Sequence, residues 1–318
     1  MTAADQGAAD TFSAASRTRT SHDMNGSSRV GGVTPDERAR FDRALRPARL
    51  SAYAPGEFVG QEGFMCASEI RSLAVKAGIG PGVSVLDLCC GIAGPGRLLT
   101  RELGCTYLGV DASATAIAVA SRRAGSLDCR FEVSPIPPVP SGPFDVVLLL
   151  ETMLAFPDKE TLLDEIAVAL RAGGRFAFTM EEGQPLTDAE RARIPHPDTV
   201  WPVPLTEMLS VLERVGLHVR WQDEVSRSHW DVVDSLADAF AAGSSDITAS
   251  LGSRALDELL VTHRRWSEWL RAGRVRKFAF VVEKPQQCLR PRPEDAPASS
   301  RGSHEHRILG SAPRSAAP

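Results

Sequence analysis

The chain has 318 residues, 43% of them apolar and 24% charged, with 36 Lys and Arg against 40 Asp and Glu. The formal charge of −4 disfavours a strongly basic nucleic-acid binder, and no run approaches the ~18 apolar residues of a membrane span. Six cysteines with no Cys-x-x-Cys pair, and an N-terminal stretch without the apolar core of a secretory signal, predict a cytoplasmic protein with reduced thiols rather than a disulfide scaffold.

Residues 1 to about 35 are rich in Ala, Ser, Thr, Gly and Asp, with Phe12 their single aromatic. Such a segment buries too little apolar surface to offset the entropy of ordering, so a disordered tail is expected. Ala52 to Glu62 carries glycines and aromatics, as a mobile flap would. Val83 to Leu88 is a short apolar run, the pattern of a strand buried on both faces. Pro95 suits the first turn of the helix that follows, and Gly104 its end. Thr106 to Val110 reads as a second strand, after which Ser113 can cap a helix bearing Ile117 and Ala120. Cys129 to Val133 and Phe144 to Leu150 read as strands three and four. A helix over Lys159 to Leu170, closed by Gly173-Gly174, leads to a fifth strand over Arg175 to Met180. A helix near Leu205 to Arg214, a sixth strand near Leu217 to Val225 and a last strand near Lys277 to Glu283 complete the pattern. Between strands six and seven, Val233, Leu236 and Phe240, then Leu256, Leu259, Leu260, His263 and Trp266, recur at helical spacing. They predict two or three lid helices over about 226–273. Residues 285–318, with Arg290-Pro291-Arg292-Pro293, read as a second disordered tail. His304-Glu305-His306 lies there and makes a poor metal site, so no metal is expected.

Strands alternating with helices imply an α/β fold: a doubly wound, mostly parallel seven-stranded sheet with helices on both faces and a helical lid between strands six and seven. One domain over 36–284 is expected. Ligands of such folds sit at the C-terminal ends of the strands.

The informative stretch is Asp87-Leu88-Cys89-Cys90-Gly91-Ile92-Ala93-Gly94-Pro95-Gly96. Small residues after a buried strand let a ligand approach the backbone. Asp111, ending the second strand, can accept hydrogen bonds from two ribose hydroxyls. Dinucleotides and S-adenosylmethionine share this layout. The dinucleotide turn is Gly-x-Gly-x-x-Gly, whereas glycines 91, 94 and 96 give Gly-x-x-Gly-x-Gly. Asp87 would also repel a pyrophosphate, and it suits a cationic amino group instead.

Val85 to Pro95 resembles the first motif of class I S-adenosylmethionine-dependent methyltransferases. Gly109-Val110-Asp111-Ala112-Ser113 resembles their second, Phe144-Asp145-Val146-Val147 their fourth-strand motif, and Leu170 to Phe176 the turn into their fifth strand. Order and spacing agree over roughly residues 50 to 284. The wording around Gly91 to Arg97 is similar to the subgroup acting on small molecules such as sarcosine, dimethylglycine, sterols and quinones. The resemblance implies S-adenosylmethionine as cofactor, with Asp87, Cys89, Cys90, Gly91 and Gly94 around its methionine end and Asp111 and Ala112 at its ribose. Leu150 and Glu151, after strand four, would lie near the methionine end. Such families usually carry Gly at the positions of Cys89 and Ala93. Their third motif offers an Asp to the adenine, where this chain has Ser134, with Ile136 left to pack on the ring.

The implied reaction is methyl transfer to an N, O or C atom of a small-molecule acceptor. Candidate acceptor-site residues are Tyr53, Phe58, Glu151, Trp201, His229 and His263, and candidate bases are Glu181, His229 and His263. Each has a plain alternative: packing for the aromatics and histidines, a solvated loop acid for Glu181 and Glu182. His196, between two prolines, reads as exposed loop, and Cys89 and Cys90 as small buried groups rather than reactive thiols. Two rival functions stand beside the enzyme, a non-catalytic S-adenosylmethionine-binding regulator and a nicotinamide-dependent oxidoreductase. No nucleic-acid or membrane partner is expected. The apolar stripes of the lid helices could also join two copies.

Overall fold

A computed structural model describes residues 34–194 and 197–286. The two expected tails beyond these limits, His196 and the His304–His306 pair lie outside the described residues. Two helices precede the sheet, α1 (Pro35–Ala52) and α2 (Ala67–Ala77). Then follow β1 (Ser84–Leu88), α3 (Gly94–Leu103), β2 (Thr106–Asp111), α4 (Ala114–Ala124), β3 (Cys129–Val133), β4 (Phe144–Leu149), α5 (Lys159–Ala169) and β5 (Leu170–Glu182). The chain continues through α6 (Asp188–Arg191), α7 (Leu205–Arg214), β6 (His218–Glu224), α8 (Ser226–Ala242), α9 (Ser244–Leu251), α10 (Ser253–Arg271) and β7 (Arg276–Glu283).

The seven strands form one sheet in the order β3-β2-β1-β4-β5-β7-β6. Strands β1 to β5 pair in parallel, and β7 inserts antiparallel between β5 and β6. Alternate side chains fill the two faces. Leu86, Val147, Phe176, Phe178 and Phe280 meet residues of α5 and α7. Val85, Val146, Ala177 and Val281 meet Ile70 and Leu73 of α2 and Leu98 of α3. A third core joins Leu45 of α1 to Val233, Leu236 and Phe240 of α8 and Leu259 and Trp266 of α10. It also takes in Tyr53, Phe64 and Leu154, so α1 and the three late helices pack with the segments around the strand ends.

Strand order reverses between β1 and β4, the crevice where an open α/β sheet binds its ligands. Backbone strain collects there. Cys89 (φ 58°), Ala93 (φ 56°) and Glu151 (φ 64°) are non-glycine residues in the left-handed region, and they flank this crevice. The usual glycines at the first two positions therefore have a conformational cause. An Ala93→Val variant places a β-branched side chain at a positive φ in a fully buried site. Its unfolding free energy is expected to fall by ~2 kcal/mol or more, read by urea titration.

Three expectations are corrected. Thr34 and Pro35, assigned to the tail, open α1: Thr34 Oγ1 accepts from the Glu37 N–H, Glu37 Oε2 accepts from the Thr34 N–H, and Pro35 stands in the first turn. Gly173-Gly174 do not close a helix. Helix α5 stops at Ala169, and both glycines lie inside β5, where the Gly173 N–H bonds the Lys284 carbonyl and the Lys284 N–H bonds the Gly174 carbonyl. Bonds to Lys284 on one side, and pairing of Glu181 and Glu182 with Lys277 and Arg276 at the start of β7 on the other, carry β5 beyond the expected Arg175 to Met180 at both ends.

Candidate functional site

The turn after β1 is tied to β2 by one carboxylate. Asp111 Oδ2 accepts from the Gly91 N–H at 3.0 Å, and Oδ1 accepts from the Ser113 N–H at 2.8 Å. Ser113 Oγ in turn caps α4 by accepting from the Ala116 N–H. Tyr107 lies under the turn: a Cβ on Gly96 or on Gly109 would run into its ring. Its hydroxyl donates to Asp87. Burial pushes the Asp87 carboxyl up to about 7, against the pull of that hydrogen bond. The expectation that Asp87 receives a cationic amino group is thus weakened, since one oxygen is held by Tyr107 and burial disfavours its charge.

Burial raises the Cys89 thiol and holds the Cys90 thiol well above its ordinary range. Neither is a ready nucleophile. Native protein at about pH 8 is expected to leave both unlabelled by iodoacetamide over the time in which unfolded protein reacts fully, as read by peptide mass spectrometry. Rapid native labelling would contradict this.

Residues 57–64 form a strap over the turn. A Cβ on Gly94 would overlap the Gly60 carbonyl, one on Gly91 would meet Glu62 Oε2, and one on Gly63 would meet the Glu151 side chain. The expected flap is closely packed. Gln61 Nε2 donates to the Glu57 and Met65 carbonyls, and the Tyr53 hydroxyl donates to the Gly63 carbonyl at 2.8 Å. Tyr53 packs on Phe58 with ring centroids 5.5 Å apart.

Beyond the strap, the ends of β4, β5 and β7 bring together an ion cluster. Lys277 Nζ lies 2.9 Å from Glu151 Oε1 and also bonds Glu181 Oε1. All three side chains are buried. Glu151 also accepts from the Phe64 N–H at 2.9 Å and from the Thr179 hydroxyl at 3.0 Å. Burial alone would raise the Glu151 carboxyl; Lys277, His229 and the Phe64 N–H bring it down to about 2. Burial likewise opposes the charge on Lys277, and the two carboxylates outweigh it, raising its value. His229 stands 3.7 Å from both Glu69 and Glu151, and neither ring nitrogen has a hydrogen-bond partner. Its burial lowers it below the ordinary histidine value, despite Glu151.

The other candidates lie apart from this cluster. His263 is buried between Phe64 and Phe240, edge-on at 5.7 and 5.0 Å, with Nδ1 2.7 Å from the Leu259 carbonyl. Burial lowers it to about 4, so it is neutral at pH 7 and fits a packing role. The Trp201 indole donates to the Asp198 carbonyl and carries Arg191 over its face at 4.1 Å. Glu182 pairs with Arg276 at 2.9 Å. The Ser134 hydroxyl donates to the Pro135 carbonyl, while its N–H bonds the Asp111 carbonyl; Ile136 packs on the core beside Val139. Ala112 and Leu150 are half-buried beside the two strand ends. Thr179 and Lys277 escaped the sequence reading. A charge heading the apolar run Phe278 to Val282 was the available signal for Lys277.

A family model described as a methyltransferase domain matches residues 85–174, the stretch that holds the glycine turn, Asp111 and Glu151. This stretch is a methyltransferase domain. The chain is 33% identical to the methyltransferase GfsG of Streptomyces halstedii over 114 residues, covering 34% of this chain and 41% of the relative. It is 32% identical to the sterol 24-C-methyltransferase of Eremothecium gossypii over 131 residues, 38% of this chain and 35% of that one. The methyltransferase domain and its neighbours thus span less than half the length of these relatives. Among solved structures, the phosphoethanolamine N-methyltransferase 2 of Haemonchus contortus, in complex with phosphomonomethylethanolamine and S-adenosylhomocysteine, superposes with a TM-score of 0.65 at 19% identity, over 80% of this chain and 61% of that one. Its likeness shows the fold of the methyltransferase domain. No helix among the described residues is long and apolar enough to cross a membrane.

Proposed function

We propose that the protein transfers a methyl group from S-adenosylmethionine to a small-molecule acceptor, with residues 36–284 acting as one unit and α8–α10 as its lid. The observation that carries this is the turn at Gly91, locked to Asp111 at the point where strand order reverses. The residues present fit the donor. Gly91 has no side chain where Glu62 approaches, and Asp111 stands at the end of β2, where a ribose diol would be met. The rival nicotinamide reading lacks the glycine register for a pyrophosphate.

When bound, the donor supplies a methyl group already activated on a sulfonium. The chain's own task is alignment and the exclusion of water, which can supply much of the rate gain. Glu151 and Glu181 set two carboxylates against one ammonium at the acceptor side, a field that favours positive charge arriving with the methyl group. Where the acceptor must lose a proton, His229 is the base: it is buried, neutral at pH 7 and has two ring nitrogens without partners. A small-molecule acceptor is favoured over nucleic acid by the net charge of −4 and by Leu150-Glu151-Thr152-Met153 at the exit of β4.

Calorimetry with S-adenosylmethionine and S-adenosylhomocysteine is expected to show saturable binding of both, and turnover against an acceptor panel to give products heavier by one methyl group. Binding without turnover across amines, alcohols and alkenes favours the regulator. Saturation by NADH with no heat from either sulfur nucleoside overturns the proposal.

A further inference from the structure

His229, in the first turn of α8, stands between two carboxylates that are not equivalent. Its Nε2 lies 3.7 Å from Glu69 Oε2 and its Nδ1 lies 3.7 Å from Glu151 Oε2. The ring is buried and neither nitrogen is bonded. Contacts of this length are not hydrogen bonds, and catalytic contacts often stand loose until a ligand draws them in.

Glu151 is already matched. It accepts from the Phe64 N–H and the Thr179 hydroxyl, and Lys277 pairs with its charge at 2.9 Å. Glu69, in the first turn of α2, is held but not neutralised. Its Oε2 accepts from the Cys66 N–H at 2.8 Å, and its Oε1 accepts from the hydroxyl of Ser228, the residue before His229. Among the described residues His229 is the one basic side chain that pairs with it. The proton of a neutral imidazole is placed by the group that each nitrogen faces. The unmatched carboxylate favours it on Nε2, which leaves the lone pair on Nδ1, toward Glu151 and the strand ends. Glu181 of β5 and Lys277 of β7 also act on the ring. Arg227 and Asp231, on α8 itself, pair with each other at the surface.

We propose that Glu69 is the positioning residue for His229: it holds the ring proton on Nε2, so that Nδ1 takes the proton of an acceptor hydroxyl or amine at the strand ends. This rests on the reading of His229 as the base in methyl transfer. The acceptor's lone pair forms the bond to the methyl group, sulfur keeps the electron pair of the bond that breaks, and the acceptor's proton passes to Nδ1. The positive charge lost from the sulfonium reappears on the imidazolium, held against Glu69. The ring returns to neutral when a proton is lost to water past Glu69, whose side chain is 20% exposed. Helices α2 and α8, both outside the matched stretch, thereby share in the chemistry.

The test reads the ring directly. In the full chain labelled with heavy-nitrogen histidine, NMR shifts report which ring nitrogen carries the proton, and comparison with His229→Gln assigns the signals. The wild type near neutral pH is expected to be uncharged, with its proton on Nε2. In Glu69→Gln the midpoint of ring protonation falls by about one pH unit or more, the effect of losing a charge a few ångströms away. Glu69→Asp, which keeps the charge, restores at least half of that fall, as it would not if packing were at fault. With S-adenosylmethionine and an alcohol or amine that the wild type methylates, Glu69→Gln lowers kcat about tenfold or more, leaves KM within about threefold, and moves the rising limb of kcat against pH downward with the midpoint. Where no such acceptor is methylated, the ring shifts alone decide.

A wild-type proton on Nδ1 overturns the proposal without recourse to a variant. A Glu69→Gln midpoint within about 0.3 pH units of wild type also overturns it. So does an unchanged kcat in Glu69→Gln where His229→Gln has lost turnover; the base reading survives all three. A His229→Gln variant that turns over like wild type removes the base reading, and this inference with it.

Discussion

Replacing Lys277 by Met is expected to lower the unfolding free energy by about 3–5 kcal/mol near neutral pH, the usual cost of leaving a buried charge without its partner. Lys277 is 2% exposed and is the ammonium shared by Glu151 and Glu181. Without it two carboxylates face each other in the interior. The effect has a pH signature. In the wild type Glu151 falls from its ordinary 4.5 to about 2, with burial opposing the shift and Lys277 driving it. Its pairing contributes stability that is complete above the unfolded value and fades as the pH drops through the folded one. The contribution amounts to about 3 kcal/mol. Lys277 is raised, so its share is complete below the ordinary lysine value and fades only at higher pH. In the variant Glu151 keeps the Phe64 N–H and His229 but loses the ammonium, so burial lifts its carboxyl back up. The penalty is then full at neutral pH and shrinks on mild acidification. Urea titrations at about pH 5 and about pH 8 should find the wild type nearly level and the variant more stable at the lower pH. A variant within about 1 kcal/mol of wild type at both would show that the cluster does not depend on this ammonium.

Asp111→Asn is expected to weaken S-adenosylhomocysteine binding by about a hundredfold, with a smaller loss of stability. The carboxylate accepts from the Gly91 and Ser113 N–H groups with different oxygens. Asparagine has one acceptor oxygen, and its amide nitrogen would meet an N–H group donor to donor. The turn then loses a tether to β2, and the proposed ribose contact loses a charged acceptor. Calorimetry measures the first effect and thermal unfolding the second. A change in affinity below about threefold would take Asp111 out of the donor site.

Much of this site could be read before any coordinates. The glycine turn, the acid after β2 and the acid after β4 are short-range features: a buried strand must end, and its next residues must turn. The two departures from glycine noted in the sequence, Cys89 and Ala93, fall at left-handed positions, and Glu151 shares that conformation. Helix α1 was also written locally, in Thr34, Pro35 and Glu37, but the composition before it hid the signal. The inner face of α1 does carry Phe41, Leu45, Ala48 and Ala52 at helical spacing, but Arg38, Asp42 and Arg49 are interleaved with them, and their partners Glu62 and Arg123 come from other elements. Lys277 was missed for the same reason: one of its carboxylates stands 96 residues away in sequence.

The sequence by itself determined the alternation of strands and helices, the turn after β1 and the place of Glu151, since hydrophobic period and backbone conformation depend on near neighbours. Only the tertiary structure decided which acid lies under the turn and which above it, and which buried charges share a partner. Pairing and burial of a charge are set by groups far apart along the chain, brought within a few ångströms only when the sheet edge, the strap and α1 have come together.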